Sequence, residues 1–143
     1  MYQLFYFPRN ASWTPHMLLE EIGADYELIL VDRKSEQQKS LPYLKINPTG
    51  RIPTLIDDKL TVFESAAICL YLCEQHPHSN LIPDLSDPNR AAFHQWLFYL
   101  TSSVQPEFML YFYPDKHSQS TSDHKSISAI HESRIMDMFA LLD

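Results

Sequence analysis

Glycine is scarce in this chain, which contains only Gly23 and Gly50 among its 143 residues. A Walker-type phosphate loop and the glycine fingerprint of dinucleotide-binding folds both need several glycines close together, because their backbone has to approach the phosphates closely. The sequence therefore excludes both kinds of nucleotide site.

Cysteine is equally scarce, and long apolar runs are missing. Cys69 and Cys73 are too few for the disulfide framework of a small secreted domain, and their spacing on one helix face is typical of buried free cysteines. No basic flank precedes an apolar run at the N-terminus, and no stretch reaches the length of a membrane span. The sequence predicts a cytoplasmic protein that does not enter the membrane.

Charge and histidine spacing exclude further classes of partner. A net charge of -7 argues against nucleic acid as a partner, although a small anion responds to the local field. The seven histidines show no spacing typical of a metal site, so we expect neither a metal nor a bound cofactor.

The first half of the chain alternates strand and helix signals. Tyr2–Phe7 and Tyr26–Val31 indicate strands, and the helix between them is expected to begin at the capping pair Thr14-Pro15 and to end at Gly23. A strand–helix–strand unit makes the two strands parallel. Two further strands then form a tight hairpin, and a helix over Ser65–His76 follows them.

The sequence patterns in the second half of the chain indicate helices and no strands. Prolines and polar residues over 77–88 indicate a linker, and apolar residues at helical spacing over 89–113 predict one long helix that Pro106 kinks. A last helix runs towards the C-terminus. We therefore expect an α/β domain over 1–76, a linker over 77–88 and the start of an all-α domain over 89–143.

The strongest motifs are the turn-rich stretch from Asn47 to Pro53 and the stretch Phe63-Glu64-Ser65-Ala66-Ala67 after the hairpin. With these motifs the chain resembles the glutathione transferase family. It is most similar to bacterial beta-class members, through Asn10-Ala11-Ser12-Trp13 and Ile52-Pro53-Thr54-Leu55. The resemblance implies a thioredoxin-like first domain and an all-helical second domain, which we expect to be incomplete here because family members are longer.

The resemblance implies a site for glutathione as co-substrate. Ile52-Pro53 is then a cis peptide, whose outward-facing Ile52 backbone pairs with the cysteinyl unit of glutathione like an added strand. Ser65 donates to the γ-glutamyl carboxylate and Glu64 accepts from its ammonium, although a serine at a helix start also fits an ordinary cap. Lys39 lies in the region that meets the glycyl carboxylate. Gln105 matches a histidine that approaches glutathione in beta-class relatives.

Three residues are candidates for stabilising the glutathione thiolate. Ser12 comes first, because the family places this loop against the thiol and a hydroxyl donor favours the ionised form. Asn10 can donate through its amide, and Tyr6 ends the first strand where other classes use a tyrosine. The alternative for each is a structural role in a turn or in the core.

The resemblance implies an enzyme that joins glutathione to a small hydrophobic electrophile, or that reduces peroxides with it, and that forms a homodimer. The competing hypothesis is a non-catalytic module that docks proteins or carries ligands on the same fold. A disulfide reductase is disfavoured because Ala11 stands where related proteins often carry a cysteine.

Overall fold

The structure, a computed structural model, describes residues 1–142 of the chain. The chain forms two compact units, of which the first spans Met1–Pro83 and the second begins at Asp84. Among the described residues, no helix combines the length and apolarity needed to cross a bilayer.

The first unit is built on a four-stranded mixed sheet in the order β2-β1-β3-β4. The strands are β1 (Tyr2–Tyr6), β2 (Tyr26–Leu30), β3 (Thr54–Asp57) and β4 (Leu60–Phe63). β1 runs parallel to β2 and antiparallel to β3, and β3 pairs antiparallel with β4. Both the parallel pair and the hairpin are confirmed, and the sheet with its helices has the predicted thioredoxin-like architecture.

Three helices, α1 (Trp13–Ile22), α2 (Leu41–Ile46) and α3 (Ser65–Gln75), complete this unit. Successive side chains of a strand point to opposite faces, and the neighbours Leu4 and Phe5 are both buried. Leu4 joins a core with α1 and α3, whereas Phe5 joins a second cluster with Tyr43 of α2 and Ile52. The two faces of β1 therefore support two separate apolar clusters, which explains its continuous apolar sequence.

The predicted start of the first helix was wrong. α1 begins at Trp13 rather than at the Thr14-Pro15 pair, and Ser12 precedes it without a side-chain cap bond. The N–H of Trp13 instead donates to the C=O of Asn10 at 3.0 Å, so a backbone turn starts the helix. The predicted end is correct, because Gly23 adopts the left-handed conformation (φ 65°) that terminates helices.

The second unit is all-helical, as predicted, but its first long helix is not continuous. α4 (Arg90–Phe98) passes into a π-helical segment over Tyr99–Val104, and α5 (Gln105–Phe112) follows it. Pro106 has no N–H for the ladder, and the Thr101 and Ser102 hydroxyls donate to main-chain carbonyls of the preceding turn. The widened segment lies directly before the turn that contains Pro106. The kink at Pro106 stays a prediction.

The last helix, α6 (Thr121–Phe139), packs beside α5. Glu107 of α5 accepts a hydrogen bond from His131 Nδ1 at 2.5 Å and lies 3.4 Å from Arg134 Nη1. α6 begins at Thr121, and directly before it the Ser118 hydroxyl accepts a hydrogen bond from the N–H of Ser120 at 3.1 Å.

Candidate functional site

Two of the three candidate thiol-stabilising residues, Asn10 and Ser12, lie between β1 and α1, and the third, Tyr6, ends β1. Ser12 is 1% exposed, and its Oγ both accepts from the N–H of Phe7 (3.3 Å) and donates to the C=O of Phe7 (3.1 Å). A hydroxyl has a single proton to donate, and here that proton is used by the main chain. Ser12 therefore closes the loop in this structure.

Asn10 lies at the middle of the same loop and is half-buried. Its Oδ1 is buried and has no hydrogen-bond partner among the described residues. Buried polar atoms are nearly always paired, so an unpaired one at a loop needs an explanation. Tyr6 ends β1 and is half-buried, and its C=O accepts from the N–H of Val31 at 2.9 Å.

The turn before β3 contains the Ile52–Pro53 peptide, which is cis as the resemblance implied. Ile52 precedes β3, and the last residue pair between β1 and β3 is Phe5 with Thr54. The backbone of Ile52 thus lies beyond the ladder, next to the end of β1. The prediction of a cis peptide is confirmed.

Asn47 holds this turn in place with its whole hydrogen-bonding capacity. The side chain is fully buried, and its Nδ2 donates to the C=O of Arg51 (3.0 Å) and to Oγ1 of Thr54 (2.9 Å). Its Oδ1 accepts from the N–H and the hydroxyl of Thr49. One amide therefore braces both sides of the Ile52–Pro53 peptide. Its place at the start of the turn was the only sequence signal for this role.

Tyr43 gives the turn a second support that the sequence did not reveal. Its hydroxyl donates to the C=O of Arg51 at 2.7 Å and lies 2.9 Å from Oγ1 of Thr54. Burial raises the pKa of the Tyr43 phenol, which keeps the hydroxyl protonated and able to donate. A tyrosine in a short polar stretch carries no pattern that points to such a contact.

The side chain of Lys39 lies against the same turn, where it approaches Gly50. Gly50 has φ +60°, and a methyl group on it would lie 2.9 Å from Lys39 Nζ and 3.1 Å from the C=O of Gln38. The ammonium group of Lys39 therefore rests on the backbone two residues before Ile52. Lys39 is exposed, as are the neighbouring lysines Lys34 and Lys45.

Glu64 follows the last residue of β4, and Ser65 is the first residue of α3. Glu64 is exposed and has φ 71°, a conformation that costs a non-glycine residue about 1–3 kcal/mol and that concentrates at functional sites. The Ser65 hydroxyl donates to the C=O of Ala11 at 3.0 Å. This bond joins the start of α3 to the β1–α1 loop, across 54 residues of sequence.

The structure therefore brings most of the predicted glutathione residues into one unit. Gln105 differs from them, because it belongs to the second unit, where it is exposed and begins α5. Within residues 1–142, no group of three histidine, cysteine or acidic side chains is arranged to hold a metal ion.

The family model described as glutathione S-transferase, N-terminal domain, matches residues 1–74. This chain belongs to the glutathione S-transferase family. The match covers the whole four-stranded sheet and nearly all of α3. The resemblance to the beta class within this family stays a prediction.

Two bacterial relatives show how far the similarity extends along the sequence. Glutathione S-transferase GstA of Escherichia coli O157:H7 is 32% identical over 115 residues, which are 79% of this chain and 57% of the relative. The disulfide-bond oxidoreductase YfcG of Escherichia coli K12 is 34% identical over 113 residues, which are 74% of this chain and 51% of the relative. The chain thus spans about half the length of the curated relatives it matches.

Solved transferase structures share the fold over almost all of the chain. A glutathione transferase from Phanerochaete chrysosporium in complex with oxidized glutathione is 27% identical with a TM-score of 0.87, over 99% of this chain and 66% of that one. A glutathione transferase from Methylococcus capsulatus is 30% identical with a TM-score of 0.79, over 96% and 66%.

Proposed function

We propose that this chain binds glutathione in its first unit and uses the glutathione thiolate to attack a small hydrophobic electrophile. The observation that carries the proposal is the Ser65–Ala11 hydrogen bond, which brings the β1–α1 loop to the N-terminus of α3. A helix N-terminus favours a carboxylate, and the loop offers polar groups for a thiol.

In this proposal, a different group of residues contacts each of the three parts of glutathione. The backbone of Ile52 pairs with its cysteinyl unit, and the firm bracing of the cis turn by Asn47 supports this role. Glu64 and the main-chain N–H of Ser65 receive the γ-glutamyl end, because the hydroxyl proton of Ser65 is already donated to the C=O of Ala11. Lys39, whose ammonium lies at Gly50, receives the glycyl carboxylate, and Gln105 stays a predicted contact.

Among the three thiol candidates, the geometry favours Asn10. The side-chain Nδ2 of Asn10 makes no hydrogen bond among the described residues and can still donate, whereas the single Ser12 proton is used by Phe7. An amide N–H that donates to the sulfur stabilises the thiolate over the thiol and lowers the thiol pKa. Tyr6 remains a third candidate at the end of β1.

The reaction needs no group beyond glutathione and the acceptor. In conjugation, the thiolate sulfur forms a bond to carbon, and the departing group or the acceptor takes the electron pair and then a proton. In peroxide reduction, the sulfur takes one oxygen as the O–O bond breaks, and a second glutathione releases water and forms the disulfide. A homodimer and a cytoplasmic location stay predictions for this chain.

A second candidate function is glutathione-dependent disulfide reduction. One relative carries the name disulfide-bond oxidoreductase, and one solved neighbour holds oxidized glutathione. Ala11 offers no thiol at the loop, so the attacking sulfur would be that of glutathione itself. It would form a mixed disulfide with one sulfur of the substrate and release the other as a thiolate.

Titration calorimetry with reduced glutathione tests the proposed site. We expect saturable binding, and a loss of about 1–3 kcal/mol of binding free energy in Ser65→Ala, because this variant removes the hydrogen bond that joins the start of α3 to the β1–α1 loop. We also expect lower turnover in Asn10→Ala with a smaller change in affinity. Asn89→Ala and Ser86→Ala, which alter exposed residues of the second unit, serve as matched controls. A folded chain that binds no glutathione would favour the docking module instead, and turnover of a disulfide but not of an aromatic electrophile would favour the reductase.

A further inference from the structure

The loop that carries Asn10 is closed by a side chain rather than by the backbone alone. Ser12 lies just after the loop and Phe7 just before it, and the Ser12 hydroxyl bonds both the N–H and the C=O of Phe7. Ser12 makes no cap bond to α1, so its hydroxyl serves only this closure among the described contacts. At 1% exposure, neither bond competes with water.

A second hydroxyl fixes the loop from the other side. Ser65 donates to the C=O of Ala11, the residue between Asn10 and Ser12. The C=O of Asn10 itself accepts from the N–H of Trp13, the first residue of α1. The backbone on both sides of the Asn10 side chain is therefore tied to β1, α1 and α3.

We propose that Ser12 is a positioning residue: its hydroxyl closes the loop over residues 8–11 and thereby holds the Asn10 amide at the glutathione thiol, without touching the thiol itself. The inference rests on the proposed function. If Ser12 were the donor to the thiolate, it would have to withdraw its proton from the C=O of Phe7 and leave that oxygen without the Ser12 bond. Asn10 has no such competing bond, but an amide can act on a thiol only when its backbone is held in place.

The test is a double-mutant cycle on the thiol pKa of bound glutathione, read from thiolate ultraviolet absorbance, and on turnover. We expect Ser12→Ala to raise the thiol pKa and to lower turnover about ten- to a hundredfold, because small displacements of a catalytic group have effects of that size. In the Asn10→Ala background, the same substitution should change turnover by no more than about twofold. An equal loss in both backgrounds would mean that Ser12 acts on the thiol directly and would overturn the inference.

Ser79→Ala is the matched control. The Ser79 hydroxyl also donates to a main-chain carbonyl, that of His76 at 2.8 Å, but it lies beyond the far end of α3. We expect this variant to keep the wild-type thiol pKa. Ser12→Thr retains the hydroxyl and should also keep it, so a folded threonine variant that loses the low thiol pKa would contradict the proposed role.

Hydrogen exchange tests the closure without any ligand. The Phe7 amide should exchange faster in Ser12→Ala than in the wild-type protein, because it loses its acceptor, and Ser12→Thr should restore its protection. If the Phe7 amide exchanges at the wild-type rate in Ser12→Ala, the loop closure by Ser12 is refuted, but the proposed glutathione function is not. A wild-type chain that does not lower the thiol pKa of glutathione would refute the proposed function, and the role of Ser12 in it, while leaving the exchange result to be judged separately.

Discussion

Asn47 illustrates how one residue can decide the shape of a turn, here the turn that we propose binds glutathione. All four of its hydrogen-bonding positions are used, and each is used within seven residues of the chain. A buried amide is stabilising only when it is satisfied in this way, because an unpaired group would cost more than the amide contributes. The turn can therefore present the Ile52 backbone in one fixed conformation.

The two cysteine thiols of the chain, Cys69 and Cys73, lie in surroundings that make them chemically unreactive. Burial raises the pKa of Cys69 to about 12, with a smaller contribution from Cys73, and burial also raises the pKa of Cys73. Only the thiolate is nucleophilic, so both groups stay protonated and unreactive near neutral pH. The nucleophile of the proposed reaction must then come from glutathione.

We predict that Cys69 and Cys73 of the folded chain are alkylated by iodoacetamide far more slowly at neutral pH than the thiol of free glutathione. The measured quantity is the rate of mass increase of the intact protein. The same chain in denaturant supplies the control, because unfolding removes the burial that raises both pKa values. Rapid labelling of the folded protein would contradict the raised pKa values and would reopen a reductase that uses its own thiol.

At the scale of elements, the two glycines have similar backbone conformations but different surroundings. Gly23 ends α1 with φ +65° and has nothing within 4 Å of the position of a Cβ atom. Gly50 has φ +60°, and a Cβ atom there would approach Lys39 Nζ, the Gln38 carbonyl oxygen and Leu44 Cδ2 at 2.9–3.1 Å. Backbone conformation and close packing can thus be separated by comparing the two sites.

We predict that Gly23→Ala lowers the free energy of unfolding by about 1 kcal/mol, the cost of the left-handed conformation for alanine. Gly50→Ala should lower it by about 2–4 kcal/mol, because the crowded methyl group adds to that cost. Denaturant unfolding of both variants measures the difference. Equal losses would show that the contacts around Gly50 yield easily. Gly50→Ala should also weaken glutathione binding, because its methyl group displaces the Lys39 ammonium.

At the scale of the whole molecule, the first unit contains its own core and the proposed glutathione site except for Gln105. The largest fully buried apolar side chains, Leu4, Leu19, Leu55, Ile68 and Leu72, all come from its strands and helices. A unit with a separate core can fold alone when enough apolar surface is buried.

We predict that residues 1–83, expressed alone, fold cooperatively and keep glutathione affinity within about tenfold of the whole chain, the limit set by losing one or two polar contacts. Circular dichroism during denaturation and calorimetric titration measure the two properties. The variant Leu55→Ala in the same fragment is the control, since a cavity in this core should cost about 2–5 kcal/mol and unfold it. A fragment that stays unfolded would show that the second unit is needed for stability.

The cis peptide at Ile52-Pro53 was implied only by the resemblance to the glutathione transferase family. The sequence alone determined the class of fold, the parallel strand pair and the hairpin. These features depend on local patterns: alternation along a strand, a helix-ending glycine, and motifs that lie within a few neighbouring residues. The start of α1 and the π-helical segment escaped prediction, because each depends on which backbone groups find partners in the folded chain.

Only the tertiary structure decided which of the candidate residues lie together and which hydrogen bonds each of them makes. The Ser65–Ala11 bond joins residues 54 positions apart, and no local pattern encodes such a meeting. The sequence ranked Ser12 first as thiol donor because its residue type and place were suitable. In the fold, the Ser12 hydroxyl donates its one proton to the C=O of Phe7, whereas the Nδ2 of Asn10 makes no hydrogen bond among the described residues, which is why we propose Asn10 as the donor.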